Sequence, residues 1–344
     1  MSERLSFKVF ESESRFLDPR KGFEETVVDF QVRTDPLTGR TGHFSHFGAI
    51  KPQGLPLNDY LKPEVKGFCP FCKENRDIAT PKFIESIIPE GRLERGEAVL
   101  IPNLFPYDKH SALVIMTEEH LCPIDGFNEK ILLDSFYVGI DFLKRISRID
   151  AELPYHLMTW NYMPPSGGGL VHPHQQYFAT VCPGNQFTDE YRASKEFYEK
   201  EKRSFWDELI ETEKNLGQRF IGEAERSYWI TPFVSLGLMG EIMCIFPDVF
   251  SVEEFDDECM DALVSGLIRV FRYYKEAGVC SINAAMFFGD RDQRFFPCHL
   301  RIISRTFLNM RDYAPDFNFF QSVLVEPVSV VIPEDLCREV KVYF

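Results

Sequence analysis

Residues 167–178 read GGGLVHPHQQYF. Two histidines, His172 and His174, and a glutamine, Gln176, recur at every second position behind Gly167, Gly168 and Gly169. On an extended strand, residues two apart share a face at ~7 Å spacing. Three glycines let backbone N–H groups approach a ligand closely and gather into an anion-binding nest. A histidine beside bound phosphate can attack phosphorus if one ring nitrogen is free and the other is fixed by a hydrogen bond. Gln176 is neutral and can donate to a phosphate oxygen or leaving group. Isolated histidines on a strand more often belong to an ordinary polar face. Three polar residues alternating behind three glycines favour chemistry instead.

A second constellation is Cys69-Pro70-Phe71-Cys72. A C-x2-C turn can place two thiolates on one zinc ion, which then needs two further ligands. His120 and His172 are the first choices and His110 the second. A redox dithiol or a pair of structural thiols would use the same spacing. Redox motifs of this kind follow an apolar strand, whereas "LKPEVKG" precedes this one, so zinc is the better reading.

These groups need elements to hold them. Residues 1–65 are rich in turn formers and look irregular, with "RTDPLTGR" (33–40) as a turn between two extended pieces. Residues 97–120 read as two strands. The apolar residues Ile131, Leu132, Phe136, Ile140, Phe142 and Leu143 recur at helical period over 127–148. "YHLMTWNYM" and "VHPHQQYFATV" read as strands on either side of the glycine loop, and 188–215 as charged helix. The order then repeats. Residues 227–248 resemble the strand pair, 252–278 the amphipathic helix, and "SINAAMFFG" with "FFPCHLRIISR" the later strands. The expected fold is α+β with two duplicated halves, each an antiparallel sheet with one long helix packed on it. The halves are expected at 1–185 and 186–344.

The chain has 344 residues, a formal net charge of −15 and a pI of about 5.1. No long Lys/Arg run is present, so neither nucleic acid nor an anionic membrane is expected as a partner. No apolar run approaches membrane-spanning length and no signal peptide is seen. Nine cysteines, scattered apart from one close pair, suit reduced thiols in the cytoplasm.

"CPFC", "NLFP", "TEEH", N-x7-G-x2-HPHxQ and "RTDPLTG" together resemble the galactose-1-phosphate uridylyltransferase family. That family is a branch of the histidine-triad superfamily and includes nucleotide-sugar phosphorylases. The resemblance spans residues 33 to about 305. It implies a double histidine-triad fold, usually a homodimer, and ping-pong nucleotidyl transfer in carbohydrate and galactose metabolism. His174 would attack the α-phosphorus of a nucleotide sugar, and a sugar 1-phosphate or inorganic phosphate would accept the nucleotidyl group. Cys69, Cys72, His120 and His172 map onto the zinc ligands, Asn103 and Asn161 onto nucleotide contacts, and Gln176 onto the phosphate-side glutamine. A metal on His172 would pin the segment carrying His174.

The chain departs from that pattern in places. A serine that touches phosphate in the family is replaced within Gly167–Gly169. Two arginines of a basic N-terminal motif are replaced by Gly48 and Lys51. Lys51, Arg33 and Arg40 are the remaining candidates for phosphate neutralisation. Glu190 and His299 could be remnants of a second metal site, which is not expected here because its other histidines are missing. The leading functional expectation is a UDP-glucose:hexose-1-phosphate uridylyltransferase. An ADP- or GDP-sugar or dinucleotide phosphorylase is the alternative. A zinc-stabilised nucleotide-binding protein without catalysis, or a histidine-triad hydrolase, would be a different class.

Overall fold

The computed structural model describes residues 5–48, 50–290, 292–309 and 314–344. Its centre is a ten-stranded sheet. Beside it stands a smaller sheet of β1 (Lys8–Asp18), β2 (Glu24–Thr34), β3 (Thr41–Ser45) and a short parallel strand, Val328–Ser329. The expectation of an irregular segment over 1–65 is therefore corrected. β1 and β2 form a hairpin paired along eleven positions, from Lys8↔Thr34 to Asp18↔Glu24. Most of its side chains are exposed on both faces, so no buried stripe marks it in the sequence. The Asp35–Arg40 turn does link two extended pieces, closed by Asp35 N–H donating to the Arg40 carbonyl at 2.7 Å.

The N-terminal half of the large sheet contains β4 (Leu93–Arg95), β5 (Ala98–Pro102), β6 (His110–Ile115), β7 (Tyr155–Tyr162) and β8 (His174–Thr180). The other half contains β9 (Phe220–Ala224), β10 (Ser227–Ile230), β11 (Glu241–Phe246), β12 (Ile282–Phe288) and β13 (Cys298–Ser304). The spatial order is β4-β5-β6-β8-β7-β12-β13-β11-β10-β9, a palindrome of one five-strand unit. β7 pairs with β12 at the junction, Asn161 facing Asn283, so the two units share one continuous antiparallel sheet.

Two shorter helices, α1 (Pro63–Lys66) and α2 (Lys73–Ala79), flank the Cys69–Cys72 turn. α3 (Glu129–Ile149) and α6 (Asp257–Glu276) cross the same face of the sheet and touch each other. Asn128 caps α3 by accepting from Ile131 N–H, and Asp256 caps α6 by accepting from Cys259 N–H. Their apolar stripes, including Phe136, Phe142, Leu263 and Phe271, bury against Met158, Trp160, Met286 and Leu300 of the strands. Close approach requires glycine at two places. A Cβ on Gly139 would stand 2.0 Å from the Tyr177 ring, and one on Gly266 2.2 Å from the Trp229 ring.

On the opposite face the halves differ. α4 (Asn185–Glu201) and α5 (Phe205–Leu216) cover the C-terminal half, burying Phe187, Phe205 and Trp206. The single helix expected over 188–215 is two. Lys202 turns into the left-handed region at φ 56°, and Ser204 restarts the chain as a cap that accepts from Trp206 and Asp207 N–H.

Candidate active site and metal centre

The strand carrying the HPH motif begins at His174, later than expected. Pro173 has no N–H for the ladder, so His172 lies ahead of the strand and not on its face. Its imidazole turns inward and is fully buried. His172 Nε2–H donates to the Thr117 carbonyl at 2.8 Å, which leaves Nδ1 as the lone-pair nitrogen. That nitrogen faces Cys69 Sγ at 3.7 Å and Cys72 Sγ at 3.8 Å, while His120 Nδ1 lies 3.4 Å from Cys72 Sγ. The four ligand atoms lie within 4.8 Å of one another and all four residues are buried. Sulfur at ~2.3 Å and nitrogen at ~2.0 Å from a tetrahedral zinc ion would stand ~3.5 Å apart, so the cluster could bind a metal.

Burial and the neighbouring Cys69 push the Cys72 thiol up to about 11. Burial lowers the basicity of His120 and brings His172 down to about 4, so both imidazoles are neutral and free to ligate at pH 7. A dication would reverse the penalty on the Cys72 thiolate. His110, the second-choice ligand, is elsewhere: its Nε2 meets Asp150 Oδ2 at 3.0 Å.

His174 Nδ1–H donates to the His172 carbonyl at 2.8 Å. Because a carbonyl can only accept, Nε2 is left as the lone-pair nitrogen. The Phe71 ring packs edge-on against this imidazole at 5.3 Å, and burial lowers its basicity. Gln176 is half-exposed on the same face, opposite Leu113 of β6 and Thr159 of β7. The β7–β8 pairing ends there, and Asn161 and His174 each lie two residues past that last pair, at the same end of the two strands.

The glycine loop follows Met163, whose φ of 66° is unusual for a non-glycine. Gly167, at φ 83°, donates to the Pro164 carbonyl at 2.9 Å. The N–H groups of Gly168 and Gly169 have no partner among the described residues. Asn103 directly follows β5, and its Oδ1 accepts from Phe105 N–H at 2.9 Å.

The basic candidates are placed differently. Arg33 is buried, bonds both Glu334 oxygens at 3.0 Å and packs over Phe44 and Phe233. Its charge is committed to the fold. Arg40 pairs with Asp189 on α4 and lines a cavity of about 170 Å³ with Asp35, Gln186 and Arg301. Lys51 is exposed at the rim of a cavity of about 330 Å³ walled by Tyr273 and Tyr274.

The duplication repeats the histidine geometry in the other half. His299 stands opposite Ile245, as His174 stands opposite Ile115. His299 Nδ1–H donates to the Pro297 carbonyl two residues back, at 3.0 Å. There the likeness ends, because Trp206 stacks on His299 at 4.5 Å and its solvent exposure is zero. His299 Nε2 faces Glu190 Oε2 at 3.3 Å, but Glu190 Oε1 takes the Arg301 guanidinium at 2.6 Å, and Arg301 also bonds Glu241 at 2.7 Å. A buried guanidinium thus supplies positive charge beside these two residues.

The fold matches known structures. An ADP-glucose phosphorylase from Arabidopsis thaliana, solved with bound ADP-glucose, superposes with a TM-score of 0.67 at 18% identity, over 91% of this chain and 98% of that one. The chain has the fold of the uridylyltransferase-like proteins. A uridylyltransferase structure superposes with a TM-score of 0.62 at 17% identity, over 91% of this chain and 97% of that one. In sequence, an uncharacterized protein of Archaeoglobus fulgidus is 29% identical over 324 residues, covering 92% of this chain and 93% of its own. No family model matches the chain. No described helix of this uridylyltransferase-like fold is long and apolar enough to cross a membrane.

Proposed function

We propose that the protein transfers a nucleotidyl group from a nucleotide sugar by a ping-pong mechanism through His174. One observation carries this reading: His172 offers its Nδ1 to the Cys69–Cys72–His120 cluster and its carbonyl to His174 Nδ1–H. Anything that pins His172 also aims His174 and fixes its tautomer.

In the first step His174 Nε2 attacks the α-phosphorus. The bond from that phosphorus to the bridging oxygen breaks, and sugar 1-phosphate departs with its electron pair. The product imidazole is N-phosphorylated and cationic, and its Nδ1–H bond to the His172 carbonyl strengthens as charge develops. Gln176 and the amides of Gly168 and Gly169 are the neutral donors for the phosphoryl oxygens. In the second step a phosphate oxygen of the acceptor attacks the same phosphorus and the N–P bond breaks. Zinc is the metal that suits two thiolates and two imidazoles; Cys69, Cys72, His120 and His172 would hold it, and it would supply structural order to the segment that carries His174.

UDP-glucose with a hexose 1-phosphate acceptor is the uridylyltransferase form of this reaction. ADP-glucose with inorganic phosphate is the phosphorylase form, supported by the likeness to the ADP-glucose phosphorylase. Single-turnover assays with each donor, chased with phosphate or sugar phosphate, separate the two. The halves are proposed to divide at about residue 185. The proposal includes a cytoplasmic location and a homodimer, for which the exposed Phe10, Phe16, Leu17 and Phe23 of the β1–β2 hairpin offer apolar side chains that a second copy would cover. Light scattering at two concentrations tests the dimer.

A further inference from the structure

Asn161 does not stand alone at the junction of the two halves. Its Oδ1 accepts from Asn283 Nδ2 at 2.6 Å, across the β7–β12 pair. The same Asn283 Nδ2 donates to the Ser166 carbonyl at 3.0 Å, at the start of the glycine loop. Asn283 Oδ1 accepts from Arg305 Nη1. Arg305 is held in turn by Asp316, whose Oδ1 accepts from Nε at 2.8 Å and from Nη2 at 2.6 Å. Asp316 is buried, and its Oδ2 accepts from Thr306 N–H at 3.1 Å.

Donor and acceptor bookkeeping fixes every orientation in this chain. A guanidinium has only donors, so the Asn283 group facing Arg305 must be the oxygen. Its NH2 must then face Asn161 and Ser166. The Ser166 carbonyl can only accept, which agrees. The Asn161 group facing Asn283 must therefore be oxygen, leaving the Asn161 NH2 directed elsewhere. This assignment does not depend on telling nitrogen from oxygen by position alone.

We infer that Asn283, held by Arg305 and Asp316, is a positioning residue that locks the Asn161 amide with its NH2 group turned away from Asn283, at the end of the β7–β8 pair where His174 lies, as a donor to an acceptor oxygen of the nucleotide's ribose or phosphate. The identity of the ligand rests on the nucleotidyl-transfer reading above. The C-terminal half thereby contributes to the N-terminal half's site even though its own histidine is covered.

Asn283→Asp tests this with little change in volume. The new carboxylate keeps Arg305 but cannot donate, so Asn161 must turn its NH2 toward it and away from the site. KM for the nucleotide sugar should rise about tenfold, as expected for one lost hydrogen bond of this kind, while kcat changes less than about threefold. In an Asn161→Ala background the same substitution should add almost nothing to KM. An unchanged KM in Asn283→Asp, or effects that multiply in the double variant, would overturn the inference. A second measurement needs no turnover. With 15N-asparagine labelling, Arg305→Met should shift the side-chain amide signals of both Asn283 and Asn161. If the Asn161 pair does not move, the relay does not exist. If no nucleotide sugar reacts with the wild-type protein, the functional reading fails while this spectrum still decides the relay.

Discussion

His174 Nδ1 lies 2.8 Å from the carbonyl oxygen of His172, the residue whose own Nδ1 points at two cysteine sulfurs. One peptide segment therefore joins a metal-type cluster to a histidine with a free Nε2. Loosening the cluster should be felt at His174. Cys69→Ser should lower metal content per chain, measured by elemental analysis, and reduce Tm by about 3 °C or more, corresponding to roughly 2 kcal/mol in a chain of this size. Metal content equal to wild type would remove Cys69 from the ligand set.

Packing beneath the strand that carries His174 is equally specific. Gly139 on α3 leaves room for the Tyr177 ring, whose hydroxyl donates to Gln175 Oε1 at 2.8 Å. Gly139→Ala should destabilise the protein by about 1–3 kcal/mol through overpacking, read by urea denaturation. Stability within about 0.5 kcal/mol of wild type would show that this helix–strand contact yields easily.

The glycine loop has room for a hydroxyl. No atom would lie within 4 Å of a Cβ on Gly169, and its φ is not in the left-handed region, in contrast to Gly167 at 83°. Gly169→Ser should leave Tm nearly unchanged. If the added hydroxyl reaches phosphate, it should tighten nucleotide-sugar binding about two- to tenfold. Titration calorimetry reads this directly, and weaker binding would place the phosphate elsewhere.

His156, buried on β7, gives a pH signature independent of the metal cluster. Burial brings its basicity down to about 4, opposed by Glu253, and its Nε2 has no hydrogen-bond partner among the described residues. The folded value lies below the usual 6.5, so the unfolded chain binds more protons between those values. Its contribution is present in full above pH 6.5 and is lost as pH falls toward 4, up to about 3 kcal/mol. His156→Gln should flatten the stability curve over that window. An unchanged slope would show that other groups set the acid limit.

Much of this arrangement is legible in the sequence, for physical reasons. α3 and α6 show their stripes because each buries one face on the sheet. The metal-type cluster is legible because a C-x2-C turn can present two sulfurs to one ion, and the polar sequence ahead of it speaks against a redox motif. The β1–β2 hairpin is not, because strands exposed on both sides carry no period. Nor is the role of Arg33, whose partner Glu334 lies 301 residues away. Asn283 is hidden for the same reason: its contact with Asn161 depends on β7 meeting β12, a pairing across 122 residues. The break between α4 and α5 did have a signal, the capping Ser204, inside a charged run.

The central claim is a covalent nucleotidyl bond to His174. Intact mass measured after mixing the protein separately with UDP-glucose, ADP-glucose and a GDP-sugar tests it most directly. The account predicts an increment of one nucleoside monophosphate residue with one of these donors, acid-labile as an N–P bond is, mapped to His174, lost on adding the proper phosphate acceptor and absent in a folded His174→Ala protein. Turnover by His174→Ala at the wild-type rate, or an increment mapped to another residue, would contradict it.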